Sequence, residues 1–260
     1  MRPLANRILL VTAVTLAVSA SQASTVSAFV ITKCGNRPSM TGMTISSSSL
    51  HAALIVGAEK SSAEAKSLIE ESIADTDRGR SLESAQRTRV HSLLSDLEAL
   101  CPLPEPARDA RMEGPWIVLY TDAPPPSNGQ LGFLRGVAKQ VIDMTGRRYR
   151  NELYVGGVDG DEDAWLTAVL DAKWEEWDGA YLDGSDGVAA VDDPGATTWK
   201  VDFESLTLSL FRIPIFTQQF KAGTSRTWRM SYLDDDTRIV RAGKTGRGED
   251  DWIFYMRRGA

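Results

Sequence analysis

The fold is decided by Trp199-Lys-Val-Asp-Phe-Glu-Ser-Leu-Thr-Leu-Ser-Leu210, in which apolar and polar side chains alternate. Trp199, Val201 and Phe203 alternate with charged residues, and the leucines at 206, 208 and 210 continue the period of two. Successive side chains of a β-strand point to opposite faces, so the pattern predicts strand structure with one buried face. The run ends at Pro214, which we expect to interrupt strand pairing.

The same period of two extends through most of the C-terminal part of the chain. Residues 166–175 would also fit a helix, but their strict alternation favours a strand. Eight or nine strands with turn-forming residues between them predict a mainly β protein. Its antiparallel sheet would close into an up-and-down barrel with room for packed side chains or one small ligand. The further predicted strands are 116–121, 137–143, 152–155, 228–232, 237–241 and 252–257.

Residues 59–107 precede this barrel, which we place at residues 108–258, and their apolar period is that of amphipathic helices. One helix is predicted around residues 65–74. A second begins near Ser81, a residue type that caps helix N-termini. Its apolar residues recur three or four positions apart and form a face that must pack against another element. They are Val90, Leu93, Leu94, Leu97 and Leu100, and the prolines at 102, 104 and 106 end the helix.

The first 58 residues contain no Asp or Glu. Residues 1–28 have a basic start, an apolar middle and small residues at the end, which is the pattern of a secretory signal peptide. Residues 29–58 have the Ser-rich, acid-free composition of a transit peptide. The junction Ser27-Ala28-Phe29 resembles plastid leaders of algae with secondary, red-lineage plastids. These features predict plastid import; the alternative is a secreted protein with a disordered Ser-rich start.

Without that leader the chain is acidic. The leader holds four of the 29 Lys and Arg and none of the 35 Asp and Glu, so the remainder has 25 basic and 35 acidic residues and a net charge near −10. Such a surface argues against nucleic acid as a partner. Cys101 and His91 are the only Cys and His after residue 58. They predict no disulfide, zinc site or His-based triad, so we expect no metal and no cofactor.

Six short segments carry a resemblance to a known family through their order and spacing. They are Asp77-Arg78-Gly79, Leu97-Glu98, Pro102-Leu-Pro-Glu-Pro106, Trp116-Ile-Val-Leu-Tyr-Thr121, Gln140-Val-Ile-Asp143 and Trp228-Arg-Met-Ser-Tyr-Leu-Asp-Asp-Asp-Thr-Arg-Ile-Val-Arg241. Together they resemble the plastid lipid-associated protein family, also called plastid fibrillins or plastoglobulins, over about residues 64–258. The resemblance implies a lipocalin-like domain, a place at plastid lipid bodies, thylakoids or stroma, and lipophilic ligands such as carotenoids, quinones and acyl lipids.

A looser likeness connects the barrel to lipocalins. Gly114-Pro115-Trp116 is similar to the Gly-x-Trp start of lipocalins, where the Trp plugs the barrel end. Tyr232-Leu-Asp234 and a late arginine, Arg241 or Arg257, resemble the other lipocalin marks. The chain departs from the common fibrillin ending at Arg241-Ala-Gly-Lys-Thr-Gly-Arg247, so the resemblance leaves the ligand open.

Charged and aromatic side chains are the candidate ligand contacts. Asp234, Asp236, Arg238 and Arg241 form the densest charge group, which either orients a ligand headgroup at a polar mouth or caps a hairpin and fixes barrel closure. Gln140 is a further inward-facing candidate. Aromatic side chains on the strands either line an apolar cavity or only pack the core. They are Trp116, Tyr120, Trp199, Phe203, Trp228 and Tyr232.

Two functions fit these features. The first is a non-catalytic protein that binds or organises lipophilic small molecules at thylakoids or plastoglobules. Phe211, Phe216 and Phe220, in the predicted loop around Pro214, would then either close the barrel or contact a lipid monolayer. The alternative is a plastid enzyme that isomerises or cyclises a lipophilic substrate inside the barrel. The sequence shows no nucleophile–base pair, which favours the first function.

Overall fold

The computed structural model describes residues 61–156, 163–179, 193–245 and 250–259, with the backbone alone at 250 and 251. The predicted signal peptide and transit peptide lie outside the described residues. Two helices, α1 (Ser62–Ile73) and α2 (Ser84–Glu98), come before the strands. The strands are β1 (Gly114–Thr121), β2 (Gln130–Leu131), β3 (Leu134–Asp143), β4 (Arg148–Val155), β5 (Leu166–Glu176), β6 (Thr198–Leu210), β7 (Ile213–Gln219), β8 (Ser225–Leu233), β9 (Thr237–Lys244) and β10 (Asp250–Arg258).

Eight of the described strands close into an antiparallel barrel, which confirms the predicted fold. Around the barrel the order is β1, β10, β9, β8, β6, β5, β4 and β3. Strand β3 then pairs back onto β1, from Gly114 opposite Ile142 to Ile117 opposite Lys139. This last pairing removes the sheet edges that an open sheet would expose.

Residues 166–175, for which a helix was the alternative, form strand β5 and confirm the prediction. The strand pairs with β4 on one side and β6 on the other. Leu166, Ala168 and Trp174 are buried, whereas Lys173 and Glu175 are exposed. The alternation therefore reflects one face toward the barrel interior and one toward solvent.

The prediction that Pro214 interrupts strand pairing is wrong. Pro214 lies within β7, opposite Ser209 of β6 and next to a register shift. Among the described strands β7 pairs with β6 alone, so its other edge needs no backbone donor and tolerates proline. Strand β6 thus has two partners on one side: residues 198–202 pair with β8, and residues 205–210 pair with β7. Beyond Asp202, β7 therefore replaces β8 as the neighbour of β6, while β6 stays paired with β5 up to Leu210.

Both helices pack on the outside of the barrel, on apolar side chains of β1, β8, β9 and β10 that point away from its interior. Helix α2 begins at Ser84 rather than near Ser81, because Glu83 is its N-cap and forms a capping box with Gln86. Ser81 belongs to the preceding turn, where its N–H donates to the Thr76 carbonyl at 3.1 Å. The helix–barrel cluster includes Ile69, Leu94, Leu97, Tyr120, Tyr232, Ile239, Ile253 and Tyr255.

Candidate functional site

Large aromatic side chains pack against one another inside the barrel. Trp174 and Trp199 stack with ring centroids 4.0 Å apart, and Trp228 stacks on Phe254 at 5.7 Å. Tyr149 contacts Trp228 edge-on at 4.6 Å. These separations are those of direct aromatic contact. Core packing thus accounts for the positions of Trp199 and Trp228, and their role as ligand contacts stays a prediction.

One end of the barrel is closed by the segment just before β1. The indole Nε1 of Trp116 donates to the Met112 carbonyl, and that of Trp199 donates to the Ala107 carbonyl, both at 3.0 Å. Met112 and Ala107 lie in single-turn 3₁₀ helices, and both are buried. Trp116 is itself fully buried, so it takes the plug position that the lipocalin likeness implied.

The lipocalin likeness named Arg241 or Arg257 as its late arginine, and the late arginine that contacts this plug is Arg258. The Arg258 guanidinium carbon lies 4.3 Å from the centroid of the Trp116 ring. Alternation along β10 gives the reason, because Arg258 shares the inward parity of buried Met256 while Arg257 is exposed. The alternation along β10 is visible in the sequence, but the sequence does not show which of the two faces points into the barrel.

Arg238 is fully buried inside the barrel. Its Nη2 donates to Gln140 Oε1, and its guanidinium lies 5.1 Å from the centroid of the Trp116 ring. Burial lowers the pKa of Arg238 to about 9, with Tyr149 opposing the shift and the like charge of Arg258 adding to it. A pKa of about 9 still keeps the guanidinium charged at neutral pH.

Asp234 and Asp236 lie at the β8–β9 turn and bind helix α1. Lys66 Nζ is 2.6 Å from Asp234 Oδ2 and 2.6 Å from Asp236 Oδ1. Asp234 also accepts from the Tyr232 hydroxyl at 2.5 Å and from the Thr237 N–H at 2.9 Å. The hydrogen bond from Lys66 lowers the pKa of Asp236 to about 2. These contacts are those of a capped hairpin that holds a helix.

Arg241 lies on the outer face of β9. Its Nε and Nη2 each donate at 2.7 Å to one carboxylate oxygen of Glu98, at the end of α2. Arg238 is three residues away along the same strand and therefore points to the opposite face. The structure brings the two aspartates together with Lys66 and places both arginines elsewhere.

Tyr120 lies outside the barrel, beneath the helices, and contacts His91. The distance from the Tyr120 hydroxyl to His91 Nε2 is 2.9 Å, and Asp122 Oδ2 is 3.4 Å from the same nitrogen. Burial raises the pKa of Tyr120 to about 12. Because both partners share one ring nitrogen, His91 cannot relay a proton across its ring between them. Within the described ranges, no group of three His, Cys, Asp or Glu side chains is placed to hold a metal ion.

Two hairpin turns expose apolar side chains at the same end of the barrel. At the β6–β7 turn Phe211 is 69% exposed, and directly after the turn, in β7, Ile213 is 67% and Ile215 41% exposed. At the β2–β3 turn, Phe133 is 76% exposed. One row of paired residues crosses strands β3 to β7, and both turns lie just beyond it on the same side. The row runs through Gly136, Val155, Leu166, Leu210 and Ile213.

The other two phenylalanines predicted to contact a membrane are half-buried. Phe216 packs against the leucine-rich end of the interior, and the Phe220 ring lies 5.8 Å from that of Phe203. Phe203 also packs on the aromatic core. Of the three candidates Phe211 is the one at an exposed turn, and the membrane role of all three stays a prediction.

Sequence reasoning missed several residues that organise these sites, namely Tyr149, Lys66, Glu98, Arg258 and Phe133. Phe133 carried a signal, since an aromatic residue directly after Gly132 in a turn is poorly placed for burial. The other four act through partners far away along the chain. No local spacing identifies such partners.

The PAP_fibrillin family model matches residues 63–173, which include both helices and the strands from β1 through most of β5. No curated protein sequence matches the chain. In the part of the chain that the structure describes, neither helix has the length and apolar character needed to cross a membrane.

Proposed function

Because the chain belongs to the plastid lipid-associated protein family, the fibrillins, we propose that it is a non-catalytic protein that binds or organises lipophilic small molecules at thylakoids or plastoglobules. The family implies a plastid protein associated with lipid. Carotenoids, quinones and acyl lipids are the proposed ligand classes, and a peripheral contact with the lipid surface is the proposed mode of association.

The exposed apolar side chains of the two hairpin turns carry this proposal. Phe133, Phe211 and Ile213 are each more than 60% exposed. Large apolar side chains that share one end of a molecule mark a surface that meets a partner or a membrane. The net charge near −10 outside the leader makes attraction to anionic lipid unfavourable, so the contact we propose is apolar.

The backbone of the β6–β7 turn supports a role beyond stability. Phe211 and Arg212 both have positive φ, at 49° and 66°. Two-residue hairpin turns of this kind favour Asn and Gly, and a bulky residue there costs about 1–3 kcal/mol. An exposed Phe therefore destabilises the turn without contributing burial. Contact with lipid would bury the Phe211 side chain and so offset this destabilisation.

The free energy available is enough for reversible binding. Full burial of one Phe or Ile side chain is worth ~1.5–3 kcal/mol. Insertion of Phe211, Ile213 and Phe133 would therefore give several kcal/mol. A single myristoyl chain gives marginal, reversible membrane binding with an association constant of ~10⁴ M⁻¹, so the turns would act as a peripheral anchor of similar strength.

Vesicle flotation tests the proposal. The wild-type chain should float with neutral phosphatidylcholine vesicles and bind them about equally at low and high salt, because the contact is apolar. Phe211→Ser with Ile213→Ser should weaken the partition about tenfold or more. Leu100→Ser is the matched control, since Leu100 is 38% exposed after α2, away from both turns in sequence. Equal flotation of the double variant and the wild type would contradict the proposed contact.

A further inference from the structure

Several hydrogen-bond donors inside the barrel have no acceptor among the described residues. They include Nε and Nη1 of Arg238, Nε2 of Gln140, the Tyr149 hydroxyl and Nε1 of Trp228. Arg238 and Gln140 are 0% exposed and Tyr149 is 1% exposed. Buried donors are nearly always paired, because desolvation without a hydrogen bond is unfavourable. Several unpartnered donors in one interior therefore point to a ligand that accepts hydrogen bonds.

These donors come from four strands, and contacts between their side chains connect them inside the barrel. Arg238 on β9 reaches Gln140 on β3 through Nη2 and Oε1. Tyr149 on β4 and Trp228 on β8 are in ring contact at 4.6 Å. Tyr149 is near enough to the Arg238 guanidinium that each acts on the other's pKa. Gln140 and Tyr149 thus lie beside the Arg238 guanidinium, and Trp228 adjoins this group through its contact with Tyr149.

The cluster carries a positive charge that no described carboxylate offsets. The charged side chain that acts on Arg238 is Arg258, which has the same sign. The Trp116 ring, 5.1 Å from the Arg238 guanidinium, supplies a cation–π contact but accepts from neither Nε nor Nη1. Water would satisfy donors without neutralising the charge, whereas an anion does both.

We propose that Arg238, Gln140, Tyr149 and Trp228 bind one carboxylate group, supplied either by a fatty acid or by a small free acid. A carboxylate is acceptor-only and its two oxygens can take the fork of a guanidinium together with neighbouring N–H and O–H donors. If the carboxylate belongs to a fatty acid, the inference rests on the proposed function, because a fatty acid is one of the proposed lipophilic ligands.

The surface beside the cluster favours a fatty acid. Along β4, Tyr149, Leu153 and Val155 share the inward parity and are buried, with the half-buried Asn151 between Tyr149 and Leu153 on the same face. From Tyr149 to Val155 the strand rises about 20 Å at ~3.4 Å per residue. The hydrocarbon layer of one leaflet is about 15 Å, half of the ~30 Å core, so the row is at least as long as the acyl chain of a membrane lipid. Leu170 packs both against the aromatic core and against the buried cluster that contains Leu153, Leu166 and Leu208. The apolar side chains are therefore continuous from one group to the other.

Calorimetric titration of the purified full chain with palmitate, hexadecanol and acetate tests the inference. Palmitate should bind once per chain, and hexadecanol, which lacks the carboxylate, should bind at least about tenfold more weakly. Acetate that displaces palmitate would support the small free acid as a source, and acetate without effect would support the fatty acid. Hexadecanol binding as tight as that of palmitate, or no binding of either, would overturn the inference.

Variants assign the preference to the cluster. Arg238→Gln should abolish the preference for palmitate over hexadecanol, while Arg257→Gln, on the exposed face of β10, should keep it. An Arg238→Gln protein that folds and keeps the preference contradicts the inference. If that variant does not fold, carboxyl-labelled palmitate bound to the wild type gives the answer by NMR. Its carboxyl should stay ionised to lower pH than in micelles, and an unchanged titration refutes the inference.

The two proposals fail in different ways. Equal binding of palmitate and hexadecanol removes the carboxylate site but leaves a protein that binds lipophilic molecules. Vesicle flotation depends on Phe211 and Ile213, neither of which belongs to the cluster. Loss of flotation in Arg238→Gln is not expected, so that variant separates the interior site from the surface contact.

Discussion

The ion pair between α2 and β9 gives the sharpest test of how the helices are held to the barrel. Arg241 donates to both carboxylate oxygens of Glu98 at 2.7 Å, and the two side chains are 23% and 14% exposed. The Ser231 hydroxyl donates to the same carboxylate at 2.5 Å. Arg241→Met therefore leaves a largely buried carboxylate with a single hydroxyl partner.

The expected loss lies between two limits. Exposed ion pairs contribute about 0.2–1 kcal/mol, whereas removing one partner of a fully buried pair costs about 3–5 kcal/mol. The partial burial and two-bond geometry of Arg241 and Glu98 place the loss at about 2–3 kcal/mol. For a domain of about 200 residues, 1 kcal/mol changes Tm by roughly 2–4 °C. We expect Arg241→Met to lower Tm by about 4–12 °C.

Urea unfolding followed by tryptophan fluorescence measures the free energy of unfolding. Lys200→Met is the control, because Lys200 pairs with Glu175 at 2.8 Å while the two side chains are 32% and 55% exposed. The control should cost less than about 1 kcal/mol. A double-mutant cycle with Glu98→Gln isolates the pair from other contacts of Arg241. If Arg241→Met costs no more than Lys200→Met, the helices are held by their apolar faces and the reasoning is refuted.

Two further predictions concern a glycine and a carboxylate. A Cβ on Gly79 (φ +87°) would meet the Tyr120 ring, whereas Gly223 (φ +80°) has nothing within 4 Å of its Cβ position. Gly79→Ala should therefore lower the free energy of unfolding by about 1 kcal/mol or more beyond Gly223→Ala, and equal losses would contradict the clash. Asp236, held by Lys66, has its pKa lowered from 3.8 to about 2. A lowered carboxyl pKa stabilises the fold above the unfolded-state pKa and the effect fades as pH falls through the folded one. Thermal unfolding should show the wild type more stable than Asp236→Asn at pH 5, with the difference shrinking toward pH 2; a constant difference would show that Asp236 acts by packing alone.

Local patterns predicted most of the secondary structure. The period of two identified β5 correctly against a helical alternative, because the orientation of successive side chains is set within the strand itself. Pro214 was misjudged because its effect depends on neighbours. Proline is excluded from the middle of a sheet but tolerated at an edge, and the edge position of β7 follows from how β6 divides its pairing between β7 and β8.

The candidate site was predictable in its residue types rather than in its grouping. Gln140 and Arg238 were both expected to contact ligand, and they meet inside the barrel. Asp234 and Arg241 were grouped with Arg238 either at a polar mouth or at a capped hairpin where the aspartates pair with the arginines, yet Asp234 binds Lys66 of α1 and Arg241 binds Glu98 of α2. Adjacency along the chain suggested the group, whereas strand alternation and the position of the helices separated it.

By itself the sequence determined the run of half-buried strands, the helical pair before it and the acidic composition, because periodicity and composition are properties of short segments. Only the tertiary structure decided which polar groups meet. Arg238 and Gln140 are 98 positions apart, and Arg241 and Glu98 are 143 apart. Contacts over such separations depend on the closure of β3 onto β1 and on which barrel face the helices cover, and neither is encoded in the spacing of residues within one strand.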